Sequence, residues 1–567
     1  MHKVIKMLSK RGFVYLILAA GAVFSVAYWW ALSRPVALAD ALTDRLSCVS
    51  YSPFHQPGQT PFEREMSISA EQIEADLTAL ARRFNCVRTY SVTQGMQEVP
   101  RLAEKLGIKV LLGIWIGREQ AANETELATG MALAQQYPAV IRAVIVGNEV
   151  LLRREQAPAN LRAYIERVKA AAPGVPVTYA DVWEFWLRYQ QDLLGSVSFA
   201  TVHILPYWED DPVGIGDAID HVSRIYRHAK EALQGKEVLI GETGWPSYGR
   251  QRQEAEPSLV NQARFIREFA LRAESEKMPY NVIEAFDQPW KRESEGAVGG
   301  YWGLYTADGI AKFPFRGPVA EAPSWSNAAY GAMAAWFGLL ALAQWRRRKL
   351  DGASLSALLA ISISGGGAWA GFCRYWVMAS RTPVEWAYSG LYAGLLLAAT
   401  FSLAIPLADW CATGKPLPAL ASASQLAQWL RHKDPSVDGT ARWLGALRFG
   451  FLFGAALVCL VLVFDLRSRD FPLALFSVPA TGFALLAWGK GKHDAGLEEI
   501  LLAAWVGFAG VWIAVAEHLV IPQDEPWRWA DGVNPYALGW VGLCLVLAGA
   551  VLGPVVVELR TGQRQHP

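Results

Sequence analysis

Long apolar segments at both ends of the chain restrict its fold more than any other feature of the sequence. One apolar span covers residues 12–32, and several more follow one another between residues 328 and 557. A helix needs about 20 apolar residues to cross a bilayer. Hydrophobic residues make up 52% of the 567 positions, which is too much for a wholly soluble protein. We therefore predict an α-helical multi-span membrane region and a separate domain between the apolar blocks.

Basic residues predict the orientation of these spans. Residues 1–11 are rich in lysine and arginine, so we expect a cytoplasmic N-terminus and a transmembrane signal anchor over residues 12–32. A cleaved signal peptide is the alternative, because Ala37-Leu38-Ala39 resembles a cleavage site. Residues 328–557 contain about seven further spans, the first ending at the basic run 346–349. Residues 558–567 are then a cytoplasmic tail, and the lipid bilayer is an expected partner.

One of these spans contains the glycine run Gly365-Gly366-Gly367. Small residues let two helices approach each other closely, so we expect tight helix packing at this point. The alternative is a break in the helix that lines a cavity.

The domain between the apolar blocks, residues 40–323, alternates short β-rich apolar runs with longer segments of helical spacing. This alternation is typical of parallel α/β folds, and about eight runs in roughly 250 residues fit a (β/α)8 TIM barrel. The predicted strands are 48–51, 86–90, 110–114, 143–146, 175–179, 199–203, 238–241 and 282–286. In such a barrel the functional groups lie at the C-terminal ends of the strands.

Two glutamates each follow a predicted strand. Glu149 comes after the fourth strand and Glu242 after the seventh, which places both at the mouth of the same barrel. Two carboxyl groups roughly 5 to 5.5 Å apart are what a retaining glycosidase requires. Taken singly, Glu149 has an alternative as the ion-pair partner of Arg153 or Arg154, and Glu242 has one as a helix-capping acid.

Charge and cysteine usage exclude other classes of protein. The chain has 53 Lys plus Arg against 52 Asp plus Glu, so no basic field points to nucleic acid. The cysteines show no close pair at metal-ligand spacing, and we expect no metal site. Cys48 and Cys86 lie in neighbouring predicted strands. We expect them to be buried free thiols rather than a disulfide, because a disulfide requires strict geometry.

Three motifs resemble those of glycoside hydrolase family 17, which contains β-1,3-glucanases and β-1,3-glucan transglycosylases. They are Val146-Gly147-Asn148-Glu149-Val150, Ile240-Gly241-Glu242-Thr243-Gly244-Trp245-Pro246 and Phe286-Asp287-Gln288-Pro289-Trp290-Lys291. The resemblance covers about Leu46 to Phe315. With the flanking membrane segments, it extends to bacterial proteins of cyclic or branched β-glucan synthesis. It therefore implies the bacterial inner membrane, with the barrel in the periplasm.

The resemblance implies a role for four residues at the centre of the barrel mouth. Glu149 is expected to be the general acid/base and Glu242 the nucleophile. Asn148 would hydrogen-bond the sugar 2-hydroxyl, and Arg88 would keep Glu242 ionised. The alternative for Arg88 is a solvent-facing partner of a helix. Two carboxylates suffice for this chemistry, so no metal or organic cofactor is implied.

A second set of residues is expected to contact the sugar chain. It comprises the hydroxyl donors Tyr90 and Tyr207, the ring platforms Trp245, Trp290 and Trp302, and the polar residues Gln288 and Lys291. Filling of the barrel rim is the alternative for the tryptophans. Lys291 would bind hydroxyls or balance Asp287. At the position of Gln288 an acidic residue is common in the family. With an amide there, the resemblance does not predict which hydrogen bonds this residue makes to the sugar.

Together these features predict a retaining β-1,3-glucan transglycosylase that transfers glucan outside the cytoplasm. The short cytoplasmic loops leave no room for a nucleotide-sugar synthase domain, so we expect a separate membrane glucan synthase as partner. A β-1,3-glucan hydrolase with the same covalent intermediate is the alternative. A non-catalytic module for glucan binding or export is a second alternative.

Overall fold

The computed structural model describes residues 2–323, 325–432, 438–464, 469–490, 495–520, 526–530 and 532–561. The chain divides into two compact units. One unit is Pro35–Val319, and the other combines Met1–Arg34 with Ala320–Pro567. These bounds lie close to the predicted limits of the barrel domain.

The first unit is a (β/α)8 barrel, as predicted. Its strands are β1 Leu46–Ser50, β2 Phe84–Arg88, β3 Lys109–Ile114, β4 Ile141–Asn148, β5 Val177–Val182, β6 Ala200–His203, β7 Val238–Glu242 and β8 Asn281–Val282. All eight form one parallel sheet in the order β7-β6-β5-β4-β3-β2-β1-β8. A parallel bridge between Ile240 and Tyr280 continues the pairing from β7 towards β8. Glu149 and Glu242 thus lie at one end of the barrel.

Helices between the strands cover the outside of the barrel. They are Ala70–Ala81, Val99–Leu106, Gln120–Gln136, Pro158–Ala171, Trp183–Leu193, Ala218–Ala232 and Leu259–Glu276, with the short helix Arg292–Glu295 after β8. The sequence explains where they begin and which face they bury. Ser69 caps the first of them by accepting a hydrogen bond from the backbone N–H of Gln72, and that helix buries Ile73 and Leu77.

The inside of the barrel holds a disulfide, so the prediction of two free thiols is wrong. Cys48 of β1 pairs directly with Cys86 of β2 in the parallel register. Their Cα atoms lie 4.4 Å apart, and the two sulfur atoms are bonded. Adjacent strands in this register bring the side chains as close as a disulfide requires. The sequence showed that the strands were neighbours but did not show the register.

The second unit consists of helices. They are His2–Ser33, Ser326–Trp345, Gly352–Ala379, Pro383–Thr413, Ala423–His432, Gly439–Phe464, Leu473–Lys490, Leu497–His518 and Pro535–Thr561. By length and composition, six helices among the described residues can cross a membrane, whereas eight spans were expected. Leu473–Gly489 is apolar but shorter, and Ser326–Trp345 is not one of the six. Residues 562–567 of the predicted tail lie outside the described residues.

The glycine run 365–367 packs against other helices, which confirms the predicted close packing. The helix Gly352–Ala379 continues through it without interruption. A Cβ atom on Gly366 would overlap the backbone of Ala332, and one on Gly365 would overlap the side chain of Thr400. A Cβ on Gly367 would overlap Ser25. Three neighbouring helices therefore meet this one at the glycine run.

We expect the Gly366→Leu substitution to destabilise the helical unit by about 2 kcal/mol or more, because the new side chain has no room beside Ala332. Thermal unfolding of the full chain in detergent measures the loss. Gly394→Leu is the matched control, since no atom lies within 4 Å of a Cβ built there. Equal unfolding temperatures for the two variants would contradict the packing interpretation.

Candidate active site

The two glutamates predicted to be catalytic come together at the C-terminal ends of their strands. Glu242 is the last residue of β7, and Glu149 directly follows β4, where its φ angle is 52°. The backbone N–H of Glu149 donates a hydrogen bond to the carbonyl of Ala180 in β5. One donor atom of each glutamate and one of His203 all lie within 4.8 Å of one another. The two carboxyl groups are therefore as close as in retaining glycosidases.

Arg88 and Tyr90 surround the carboxylate of Glu242. The Nη1 atom of Arg88 donates to Glu242 Oε1 at 2.7 Å, and the hydroxyl of Tyr90 donates to the same oxygen at 2.8 Å. Arg88 is only 1% exposed, so the alternative of a solvent-facing partner is wrong for this residue. Its Nη2 atom donates to Asn148 Oδ1 at 2.5 Å. One guanidinium group thus fixes both Glu242 and the neighbour of Glu149.

These contacts control the charge of Glu242. Burial alone would raise the pKa of this carboxyl, but the charges of His203 and Arg88 and the hydrogen bond from Tyr90 outweigh burial. The net effect is a pKa below the ordinary value for a glutamate. Burial and the nearby Glu242 raise the pKa of the Tyr90 hydroxyl well above its ordinary value, so this group stays a hydrogen-bond donor. Glu242 is therefore held as an anion.

His203, the last residue of β6, lies between the two glutamates. Its Nδ1 atom is 3.0 Å from Glu149 Oε1, and its Nε2 atom is 3.8 Å from Glu242 Oε1. The ring is buried, and a Cβ atom on Gly241 would overlap Thr201 and come close to this ring. Glycine at position 241 therefore makes room for the histidine. No sequence motif assigned a function to His203, although its position at the end of a predicted strand was a usable signal.

The donor set of Glu149, His203 and Glu242 is also of a type that can hold a metal ion. However, the guanidinium of Arg88 already lies 2.7 Å from Glu242 and supplies positive charge to that carboxylate. A cation bound there would be repelled by this arginine. The geometry therefore fits the carboxylate pair of a glycosidase better than a metal centre.

Two further buried ion pairs lie in the segment after β8. Lys291 binds Glu284 at 2.8 Å, whereas Asp287 binds Lys312 at 2.6 Å. The expectation that Lys291 balances Asp287 is therefore wrong. Burial raises the pKa of Glu284 to about 7 and that of Asp287 to about 6, although each acid has a lysine partner. Glu284 was not among the predicted site residues, because it lies inside the predicted strand 282–286.

Four of the expected sugar-binding side chains are buried, and the structure does not fit that role for them. They are Tyr207, Trp245, Gln288 and Trp302. The Tyr207 hydroxyl donates to the carbonyl of Arg250, and the Trp245 indole donates to the carbonyl of Glu256. Gln288 accepts from the Trp290 indole at 2.8 Å. The rings of Trp245 and Trp302 both pack on Tyr207, so the alternative of packing at the rim is correct for them.

Trp290 differs from these four, because its ring is only partly buried. It meets the ring of Phe62 edge to face, with 5.3 Å between centroids, and Phe62 is 74% exposed. The hydrogen bond to Gln288 fixes the edge of the indole. This pair leaves aromatic surface open to a ligand at the loops that follow β1 and β8.

We expect Arg88→Met to lower kcat/KM by about 100-fold and to move the acidic limb of the pH profile to higher pH. Arg88 helps to keep the pKa of Glu242 low. Without it the pKa rises, and the carboxylate is protonated at a higher pH than before. The measurement is kcat/KM across the acidic range.

Arg88→Lys keeps the positive charge and should give a smaller shift. Arg64→Met is the control, because Arg64 is an exposed arginine that pairs with Glu119. An acidic limb that stays in place in Arg88→Met would contradict the assigned role of Arg88.

Known proteins resemble this chain in the barrel. Residues 48–303 match the family described as BtgE/BtgC glycoside hydrolase domain. A glucan 1,3-beta-glucosidase of Arthroderma benhamiae is 32% identical over 260 residues, which cover 42% of this chain and 82% of that protein. A glucan 1,3-beta-glucosidase of Schizosaccharomyces pombe is 27% identical over 256 residues, covering 42% of this chain and 78% of that protein.

A solved structure resembles the chain as well. It is an active-site mutant of Rhizomucor miehei beta-1,3-glucanosyltransferase in complex with laminaritriose. The two chains are 25% identical, with a TM-score of 0.41 and coverage of 49% of this chain and 98% of that chain. The three sequence motifs, the barrel with its carboxylate pair and the Arthroderma relative all indicate the same family. The chain belongs to the glycoside hydrolases of the BtgE/BtgC type, which resemble family 17.

Proposed function

We propose that the protein is a retaining β-1,3-glucan transglycosylase whose nucleophile is Glu242 and whose general acid/base is Glu149. The observation that carries this proposal is the separation of the two glutamates, whose nearest donor atoms lie within 4.8 Å. An inverting enzyme needs carboxyl groups roughly 6.5 to 9.5 Å apart, with room for a water molecule between acid and base. The separation in this barrel favours direct attack by one carboxylate.

The first half of the reaction cleaves the glucan. Glu242 Oε attacks the anomeric carbon while Glu149 gives its proton to the glycosidic oxygen, and the sugar on that side leaves as an alcohol. The product is a glucosyl ester on Glu242. Arg88 and Tyr90 keep Glu242 ionised before the attack. Asn148 accepts from Arg88 with its Oδ1 atom, which leaves its amide nitrogen to donate to the sugar 2-hydroxyl.

The second half of the reaction transfers the sugar. Glu149, now ionised, removes a proton from an acceptor hydroxyl, whose oxygen attacks the anomeric carbon and releases Glu242. The configuration of the anomeric carbon is inverted twice and therefore retained. His203 contacts both carboxyl groups, which supports a role in holding them at a fixed separation.

Transfer and hydrolysis differ only in the acceptor, which is a glucan hydroxyl or water. The name glucan 1,3-beta-glucosidase of the Arthroderma relative favours hydrolysis, whereas the Rhizomucor enzyme is named a glucanosyltransferase. The test is to incubate the full chain in detergent with laminari-oligosaccharides and to determine product length and anomeric configuration. Products longer than the starting chain, first formed as β-anomers, support transfer. If all products are shorter than the starting chain, the protein is a hydrolase and not a transglycosylase. Products first formed as α-anomers would contradict the retaining mechanism.

The proposed location is the bacterial inner membrane, with the barrel in the periplasm and both termini in the cytoplasm. The basic residues at the N-terminus and at positions 346–349 support this orientation. The six apolar helices support insertion in a membrane. A separate membrane glucan synthase is the proposed source of the donor glucan. A reporter enzyme that is active only outside the cytoplasm tests the orientation. Fused after residue 323 it should be active, and activity after residue 349 would contradict the topology.

A further inference from the structure

We propose that Trp115 and Arg153 form the subsite for the glucose unit that leaves in the first step and for the acceptor unit that replaces it. This inference rests on the proposed function, because it names the part of that active site where the departing and incoming sugars bind. Trp115 directly follows β3 at the end of the barrel that carries Glu149 and Glu242. Its indole is 37% exposed, unlike the buried rings of Trp245 and Trp302.

Arg153 connects the indole face of Trp115 to the acid/base carboxylate. Its guanidinium carbon lies 4.5 Å from the centroid of the Trp115 ring, and its Nη1 atom lies 3.8 Å from Glu149 Oε2. Its Nη2 atom binds Glu155 Oε2 at 3.0 Å. The sequence suggested an ion pair between Glu149 and Arg153 as an alternative, and this pair exists. The same arginine also packs on the partly exposed ring of Trp115.

A buried carboxylate on a neighbouring helix holds the backbone of Trp115 in place. The N–H of Trp115 donates to Glu126 Oε2 at 3.0 Å, and Glu126 also accepts from the N–H of Val92 at 3.1 Å and from the hydroxyl of Thr93 at 2.6 Å. Glu126 therefore joins the loops that follow β2 and β3. The exposed indole stands on a fixed backbone and offers a preorganised surface.

The chemistry of the reaction decides which sugar would lie there. A general acid gives its proton to the oxygen of the leaving sugar, so that sugar must lie beside Glu149. A pyranose ring in the β-gluco configuration presents axial C–H groups to a flat indole face, while a guanidinium offers donors to its hydroxyls. A solvent-exposed cation–π pair contributes little to the free energy of folding, so fold stability alone gives little reason for this arrangement.

The test compares two donors on the full chain in detergent. Laminaripentaose has a sugar as its leaving group, whereas β-laminaribiosyl fluoride releases a fluoride ion, which occupies no sugar subsite. We expect Trp115→Ala to lower kcat/KM for laminaripentaose by about tenfold or more, because the apolar area of one ring is lost. Fluoride release without added acceptor should change by less than about threefold. Transfer from the fluoride donor to added laminaribiose should also fall by about tenfold.

Trp115→Phe keeps a flat ring and should recover part of the loss. Leu42→Ala is the control for removing an exposed apolar side chain, because Leu42 precedes β1 and lies away from the mouth. Equal losses on both donors would overturn the proposal and indicate a donor subsite or misfolding, as would unchanged cleavage of laminaripentaose. If the unmodified chain released no fluoride and cleaved no laminaripentaose, the proposed function itself would fail. That result can be distinguished from failure of the subsite proposal, which is seen only in the Trp115 variants.

Discussion

Glu242→Gln is expected to lower kcat by about 10⁴-fold or more on laminari-oligosaccharides while the barrel stays folded. The amide has the shape of the carboxylate but cannot form the glucosyl ester. The amide oxygen can still accept the hydrogen bonds that Arg88 and Tyr90 donate to Glu242. We therefore expect the variant to bind glucan. Initial rates and glucan binding by the full chain, measured side by side, check both expectations.

A smaller side chain at position 242 gives a stereochemical test of the nucleophile. In Glu242→Ala, added azide can occupy the vacated face of the anomeric carbon, and a single displacement then yields an α-glucosyl azide from a β-linked fluoride donor. Glu119→Gln is the matched control, because Glu119 is an exposed glutamate that binds Arg64. Full catalytic activity in Glu242→Gln would exclude a covalent mechanism with Glu242 as the nucleophile.

Glu149→Gln is expected to lower kcat/KM on laminari-oligosaccharides by roughly 100- to 10,000-fold. A sugar alkoxide is a poor leaving group unless an acid gives it a proton, and the amide has no such proton. Release of fluoride from β-laminaribiosyl fluoride needs little protonation, so the rate of the first step should fall much less with that donor. The ratio of the two rates therefore separates loss of the acid from loss of the fold.

Azide identifies the acid/base from the product as well. In Glu149→Ala the glucosyl ester on Glu242 can still form from the fluoride donor, and azide then attacks it without help from a base. The product is a β-glucosyl azide, of opposite configuration to that from Glu242→Ala. An α-azide from the Glu149 variant would reverse the assignment of the two residues. Equal rate losses on both donors would contradict general acid catalysis by Glu149.

Periodic features of the sequence were sufficient to predict the architecture. The alternation of apolar runs and helical segments predicted the barrel, and the eight strands begin or end within a few residues of the predicted ones. Glu149 and Glu242 could be placed because parallel strands in a barrel all point their C-terminal ends to the same side. The same rule placed Arg88, at the end of β2, at the barrel mouth. These predictions depended only on strand order and direction.

Side-chain burial at the rim could not be predicted in this way. Trp245 and Trp302 stand in motifs beside the active site, but their rings pack on Tyr207. Lys291 lies four residues from Asp287 in sequence, yet it binds Glu284. Proximity along the chain suggested sugar contacts, whereas burial and ion pairing depend on how loops from distant strands fold over one another.

The sequence by itself determined the fold class, the long apolar helices at the chain ends and the two glutamates at the barrel mouth. Each of these depends on a local pattern or on a rule that holds for every strand of a parallel barrel. Only the tertiary structure decided that His203 lies between the carboxyl groups, that Cys48 bonds to Cys86 and that Trp115 faces Arg153. Those contacts join residues from different strands and loops, and their distances depend on register and loop conformation, which no local pattern specifies.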